Sequence, residues 1–353
     1  MSKPNEITLS DLKSSKLTDE RIRLGLIPFD AIISGGFETT GTIVQLVSAS
    51  GLGKSTLACQ ISEKMCEFGT NVLYIDSEGS ISTDILYSTG LLQYLDKSFF
   101  IVRESTFTSI EKTIDLYLST GEIGFIVVDS LSAIMHDGFG NLSQNKGKST
   151  DSKEKNSAIS ISTNNSNYNS RQLTLFLNKY AMLAKQRGIS ILYTNQFRTR
   201  ITNLFNYAEE KIGGSKNVKY SSDIIVKISD NISKQNKDFT SYINRTDFEH
   251  IGKDLEFEII KSNKARTGKK IPFRFDYGFG INKFFSVTYP LFKKGILVNN
   301  KGNYVYTPYD EEKGEFLEDF KETYKGFKNL YDNCEYLAIS SAESIEKFYA
   351  NII

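Results

Sequence analysis

Three features of the sequence predict an α/β fold, a mainly parallel sheet with helices on both faces. Apolar, strand-length runs alternate with helix-period segments from about residue 43 to residue 196. Those runs (TIVQLV, NVLYID, FFIV, FIVVD, ISILYTN) are apolar on both faces, as strands between two helical layers must be. A glycine-bearing turn, SASGLGKST, stands between the first of these strands and the helix after it, where open sheets of this class bind ligands.

The elements follow in order. Residues 1–28 are polar and charged, with a short helix expected around LTDERIR. The strand TIVQLV leads through the turn to the helix KSTLACQISEKMCEF, in which Leu57, Ile61, Met65 and Phe68 recur at helical spacing and Gly69 is the stop. Next come the strand NVLYID, a helical stretch near TDILYSTG, the strand FFIV, the helix SIEKTIDLYL and the strand FIVVD. From Gly138 to about Ser170 the chain is rich in serine, asparagine and lysine, and a long mobile loop is expected. The helix QLTLFLNKYAMLAKQ and the strand ISILYTN restore the alternation. DIIVKIS, LEFEIIK and IPFRFDY then succeed one another without helices, as antiparallel strands extending the sheet would. After about Gly280 a smaller region begins with GILVNNKGNYVYTP and ends in a helical tail. The expected division is an arm at 1–28, a core at 29–282 and a small C-terminal region at 283–353.

Composition narrows the function. The chain has 353 residues, 39% of them hydrophobic, and a mean hydropathy of −0.30, ordinary for a soluble globular protein. No apolar run is long enough to span a membrane, and MSKPNEITLS is not a signal peptide, so a cytoplasmic protein is expected. The net charge of +1 means that a polyanion must be held by local patches. Cys59, Cys66 and Cys334 offer no disulfide framework, and the first two fit a helix as small buried apolar residues. His136 and His250 are too few for a zinc site.

The turn has the chemistry of a phosphate cradle. Gly51 and Gly53 let backbone N–H groups face inward, and the helix N-terminus adds favourable potential for an anion. In that pattern Ser50, Gly51, Leu52, Gly53 and Thr56 surround the phosphates, Lys54 reaches the β- and γ-phosphates and Ser55 coordinates Mg²⁺. The full pattern has glycine where this chain has Ser48. Asp129 ends FIVVD where a carboxylate would orient Mg²⁺ through water. Glu78, just past the strand NVLYID, is placed to act as base on a water attacking the γ-phosphate. Asp76 fits a cap or turn better than chemistry. Gln196, at the end of a neighbouring strand, is within range of the same phosphate. These residues imply a nucleoside triphosphate with Mg²⁺.

Gln196 opens a stretch at 197–219 that combines Arg198, Arg200, Lys216 and Lys219 with Phe205 and Tyr207. Cations follow a phosphate backbone and aromatic rings stack on bases, although composition alone equally fits a solvated loop.

Taken together, SASGLGKST, YIDSEG, FIVVDS and TNQFRTRITNLFNYAEEKIGG resemble the RecA family of DNA recombinases. GGSKNVKYSSDIIVKI, EIIKSNKAR and FDYGFGIN continue the likeness, which runs from about Leu24 to Asn282. It implies a RecA-type P-loop ATPase core and a DNA-dependent ATPase. The protein would bind single-stranded DNA as a helical filament and promote pairing and strand exchange with homologous duplex DNA. It further implies Lys54, Glu78 and Gln196 as catalytic residues and Ser55 and Asp129 as the Mg²⁺ pair. Arg198, Phe205, Gly213, Gly214 and Lys219 would belong to the second DNA loop, with Arg200 and Lys216 beside them, and 138–170 to the first. Lys261 and Lys264 resemble lysines that reach a neighbouring subunit's ATP, with Arg266 a further candidate. The family's adenine-stacking tyrosine is replaced by Ile85, with Tyr87 nearby. The short N-terminal region is closest in style to phage UvsX-like recombinases, and loading or mediator proteins are possible partners. Two competing readings share the core: a hexameric replicative helicase and a non-catalytic paralogue acting as mediator. A small-molecule kinase is the remaining alternative.

Overall fold

The structure is a computed structural model that describes residues 21–38, 41–135, 154–202, 207–212, 218–234, 251–263 and 266–351, with the backbone alone at 154–168, 198–202 and 207–211. Strand β1 (Arg21–Ile22) pairs antiparallel with β2 (Phe37–Glu38) around helix α1 (Ile27–Ile32). Of LTDERIR, where a short helix is expected, Arg21–Ile22 are strand and residues 17–20 lie outside the described residues. Gly36 permits the pairing, since a Cβ there would lie 2.4 Å from the Ile22 carbonyl oxygen.

The main sheet is built from β3 (Ile43–Ser48), β4 (Asn71–Asp76), β5 (Phe99–Val102), β6 (Ile123–Asp129) and β7 (Ser190–Thr202). It continues with β8 (Tyr207–Ile212), β9 (Ile224–Ser229), β10 (Gly252–Ser262), β11 (Lys270–Asp276) and β12 (Gly280–Ile281). Its order is β12-β11-β10-β9-β3-β7-β6-β4-β5, with β8 attached to β7. The strands from β9 to β5 in that order are parallel, and β10, β11 and β12 extend them antiparallel. This is the mixed, mostly parallel sheet expected of the sequence.

Side chains alternate across the sheet and fill two cores. Val44, Leu46, Val72, Tyr74, Phe125 and Val127 face α2 (Lys54–Glu67), whereas Ile43, Leu73, Ile75, Ile126 and Val128 face α4 (Phe107–Ser119) and α5 (Glu154–Arg187). Between these helices lies α3 (Thr83–Ser88), capped by the Ser82 hydroxyl. In α2, Leu57, Ile61 and Met65 are buried as expected, but Phe68 is the C-cap residue and 58% exposed. The helix ends there, so its last side chain overhangs the core.

Two segments differ from their expectation. α5 runs for 34 residues, so 154–170 is helical where a loop was expected. Its second half packs Leu173, Phe176, Leu177, Tyr180 and Ala184 into the core, and propagation from a packed nucleus costs little even through poor helix formers. The stretch after Gln196 is not a loop at its start: β7 runs on to Thr202 and pairs with β8, Phe197 opposite Ile212 and Thr202 opposite Tyr207. β-Branched Thr199, Ile201 and Thr202 favour that extension.

Short α6 (Val218–Ser221) precedes β9. Beyond β12, α7 (Lys283–Lys293) begins at an Asn282 cap. There follow β13 (Leu297–Asn300), β14 (Asn303–Tyr306), β15 (Tyr309–Asp310), β16 (Glu315–Phe316) and β17 (Glu322–Lys325). Helices α8 (Gly326–Asp332), α9 (Cys334–Ser340) and α10 (Ala342–Asn351) close the described chain. Phe285, Leu291, Leu330, Leu337 and Tyr349 join the same core as α1 and α2.

Candidate nucleotide site

Parallel register brings the functional side chains to one edge of the sheet. Ser48 stands beside Gln196, and Asp76 beside Asp129. The four strands β3, β7, β6 and β4 thus end at one level, and the turns after them line a cavity of about 310 Å³.

The glycine turn enters α2 with Gly51 at φ +77° and Gly53 at φ +76°, left-handed values that L side chains rarely adopt. Gly53 has a second constraint: a Cβ there would lie 2.3 Å from the Phe275 ring. Ser48 needs no glycine because it is the last residue of β3. Its buried hydroxyl instead accepts from Lys54 Nζ at 2.8 Å, and the Ala49 carbonyl accepts from the same ammonium at 2.9 Å. Burial pulls the Lys54 pKa below the usual lysine value, and the Asp129 and Glu78 carboxylates pull it back up.

Asp129 is 1% exposed. Burial pushes its carboxyl up, while hydrogen bonds from Thr194, Ser55 and Tyr74 draw it down. Tyr74 Oη donates to Oδ2 at 2.8 Å and the Thr194 hydroxyl donates to Oδ1. Glu78 is exposed to the cavity and its Oε1 accepts from Gln196 Nε2 at 3.2 Å and from the Ser130 hydroxyl. Asp76 accepts from the backbone N–H groups of Ser80 and Ile81 at 3.0 and 3.2 Å, folding the turn that presents Glu78. It is the turn residue it was expected to be.

Mg²⁺ is a hard cation, usually held by one or two carboxylates together with substrate phosphates. The oxygen donors Ser55 and Asp129, adjacent at the mouth of α2, fit that role. Among the described residues no three His, Cys, Asp or Glu side chains converge on a protein-only metal site.

The far end of the cavity is lined by Ile85, Phe275, Tyr277 and Gly278. It is joined to α3 by the Ser88 hydroxyl, which donates to the Gly278 carbonyl at 2.5 Å. Phe275 and Tyr277 lie within the FDYGFGIN stretch, in which the sequence alone assigns neither ring to the site. Tyr87, the other aromatic near Ile85, is 77% exposed and not part of this wall.

The family model described as the RecA N-terminal domain matches residues 7–282. The chain belongs to the RecA family. It is 21% identical over 335 residues to Protein RecA of Caulobacter sp. (strain K31), covering 95% of this chain and 85% of that protein. The DNA repair and recombination protein RadB of Methanosphaera stadtmanae is 24% identical over 261 residues, 72% of this chain and 97% of its own length. Protein RecA of Colwellia psychrerythraea is 23% identical over 263 residues, 74% and 67%.

Within this RecA-family core, Ser50, Gly51, Gly53, Lys54, Ser55, Thr56, Glu78, Asp129 and Gln196 all line one cavity. Leu52 leans on the core instead. Lys261 is not at its own chain's cavity: its Nζ donates to the Ser222 carbonyl at 2.6 Å, just past α6. Arg266 and Lys219 are exposed. Arg198 and Arg200 lie on β7, known by backbone only; Phe205, Gly213, Gly214, Lys216, Lys264 and residues 138–153 of the first loop fall outside the described residues. Among the described residues no helix is long and apolar enough to cross a membrane.

Proposed function

We propose that the protein is an ATP-dependent homologous recombination protein that binds single-stranded DNA as a filament and promotes pairing and strand exchange with a homologous duplex. The observation that carries this reading is the position of Gln196. It faces the cavity and bonds Glu78, and the next residue, Phe197, opens the β7–β8 hairpin.

In this reading the α2 N-terminus, Lys54 and the turn's N–H groups hold the triphosphate of ATP. Ser55 and, through water, Asp129 would hold Mg²⁺, which would supply neutralisation of charge on the phosphate oxygens. Glu78 takes a proton from the attacking water. Ser130 and Gln196 both donate to the same Glu78 oxygen. A γ-phosphate competing for the Gln196 amide would therefore both free Glu78 and pull on the root of the hairpin. That is a segment-ordering switch. Arg198, Arg200, Lys216, Lys219 and Phe205 would hold DNA along and beyond the hairpin, largely without regard to sequence. Lys261 and Lys264 would reach a neighbouring protomer's ATP, with the arm before Arg21 docking on that neighbour. Reciprocity follows: if ATP tightens DNA binding, DNA tightens ATP binding by the same factor.

The test is steady-state ATP hydrolysis with and without single-stranded DNA, with Lys54→Ala as the blank. Strong stimulation that weakens with salt is expected, together with joint-molecule formation on a homologous duplex. Hydrolysis indifferent to DNA would sink the coupling through Gln196. DNA-stimulated hydrolysis by closed rings without joint molecules would turn the reading to a helicase.

A further inference from the structure

The nucleotide reading assigns Asp129 a task that depends on the direction its carboxylate faces, and the structure shows what fixes that direction. The carboxylate ends β6, an interior strand of the sheet, and is gripped from both neighbouring strands. From β7, the Thr194 hydroxyl donates to Oδ1; from β4, Tyr74 Oη donates to Oδ2 at 2.8 Å. Thr194 is fully buried, and so is Tyr74. Carboxylate torsions are broad and roughly two-fold, so one donor would leave the plane free to swing. Two donors on different oxygens, from opposite sides, fix it and leave the remaining lone pairs to face Ser55 and the cavity.

The reach of Tyr74 is specific to its ring. Its backbone pairs with Val127, two residues behind Asp129, whereas Asp76 pairs with Asp129 itself. Two strand residues span about 6.6 Å, a gap that a phenol bridges and a serine or threonine hydroxyl does not. Phe99 packs edge-on against the ring at 5.9 Å, and the Cys59 thiol of α2 is a neighbour of the hydroxyl. The ring is thereby held in place.

We propose that Tyr74 is a positioning residue for Mg²⁺–nucleotide binding, orienting Asp129 through its buried hydroxyl. The inference rests on the nucleotide reading above. A group that merely satisfies its own hydroxyl would affect stability alone. A group that orients Asp129 affects the response to the cation, and partners at this remove typically change metal affinity by about 10–100-fold when lost.

The experiment is Tyr74→Phe, which keeps the ring and removes the hydroxyl. Binding of a fluorescent, non-hydrolysable ATP analogue is titrated in EDTA and then against Mg²⁺, beside the Mg²⁺ dependence of hydrolysis. The expected result is wild-type affinity in EDTA, with half-saturating Mg²⁺ raised about tenfold in both assays. Thr194→Val should move the Mg²⁺ titration in the same direction, and Thr194→Ser should retain the wild-type curve. These variants carry the test if Tyr74→Phe folds poorly. A Tyr74→Phe protein with a lowered melting temperature but a superimposable Mg²⁺ titration overturns the proposal and makes the hydroxyl structural. A wild-type protein whose analogue binding ignores Mg²⁺ overturns the nucleotide reading itself, a separate and distinguishable failure.

Discussion

The two ends of the cavity are built by different means. At the end proposed for the phosphates, Ser48, Asp129 and Thr194 are buried and each is hydrogen-bonded to a neighbouring element, and buried Asp76 folds the turn after its own strand. At the base end, Tyr277 is 50% exposed and Ile85 half-buried, and one side-chain bond, Ser88 to Gly278, ties the two walls. The phosphate end is a product of strand register, so its geometry is as rigid as the sheet. The end proposed for the base joins the end of β11, with buried Phe275, to the turn after it and a six-residue helix. Chemistry is expected where the frame is stiff, and sequence-tolerant base stacking where it is loose.

The sharpest way to break that contrast is at Glu78. Glu78→Gln keeps an oxygen for the Ser130 and Gln196 donors and removes only the base. Turnover should fall by about 10²–10⁴-fold, while affinity for an ATP analogue changes by no more than about threefold, since Glu78 is not among the phosphate-holding groups. Steady-state hydrolysis and equilibrium binding on one preparation separate the two quantities. A parallel loss of binding and turnover would mean that Glu78 holds the site together and that the phosphate end is less rigid than its register implies.

The same contrast explains what was legible in the sequence. Lys54, Ser55, Glu78, Asp129 and Gln196 each lie at or just beyond the end of an apolar run, so strand periodicity alone places them on one edge. Ser48 looked like a defect in the glycine pattern, yet it is a strand residue with a hydroxyl for Lys54, which pattern matching does not see. Tyr74 and Thr194 read as strand filler, because nothing in a linear sequence says that a phenol two residues back reaches a carboxylate on the next strand. Tyr277 was harder still: about 200 residues separate it from Glu78, and only the fold of β11 over α2 brings it to the cavity. The helical start of α5 was missed because its serine- and asparagine-rich composition argues against the helix that packing further along propagates.

At the base end the largest expected effect is at Tyr277. Removing the ring with Tyr277→Ala forfeits stacking worth roughly 1 kcal/mol or more, so KM for ATP should rise about five- to tenfold with kcat little changed. A fall in kcat with KM constant would show that the turn at Gly278 controls the phosphate end, and the division between the two ends would fail.

The smallest effect is a gain. Ile85 presents an aliphatic face where an aromatic one would add about 0.5–1.5 kcal/mol of stacking, so Ile85→Tyr should tighten ATP binding about two- to tenfold. Ile85 is half-buried and lines the cavity. Because every base has a π-face, the gain should extend to GTP within about threefold. Competition of the two nucleotides against a fluorescent analogue reads both numbers. An equal gain for the two would mean that the base end supplies affinity but little selectivity, leaving discrimination among triphosphates to groups outside this wall. A gain confined to ATP would instead show that the wall already reads the base edge, through a polar group that Ile85 presently keeps at a distance.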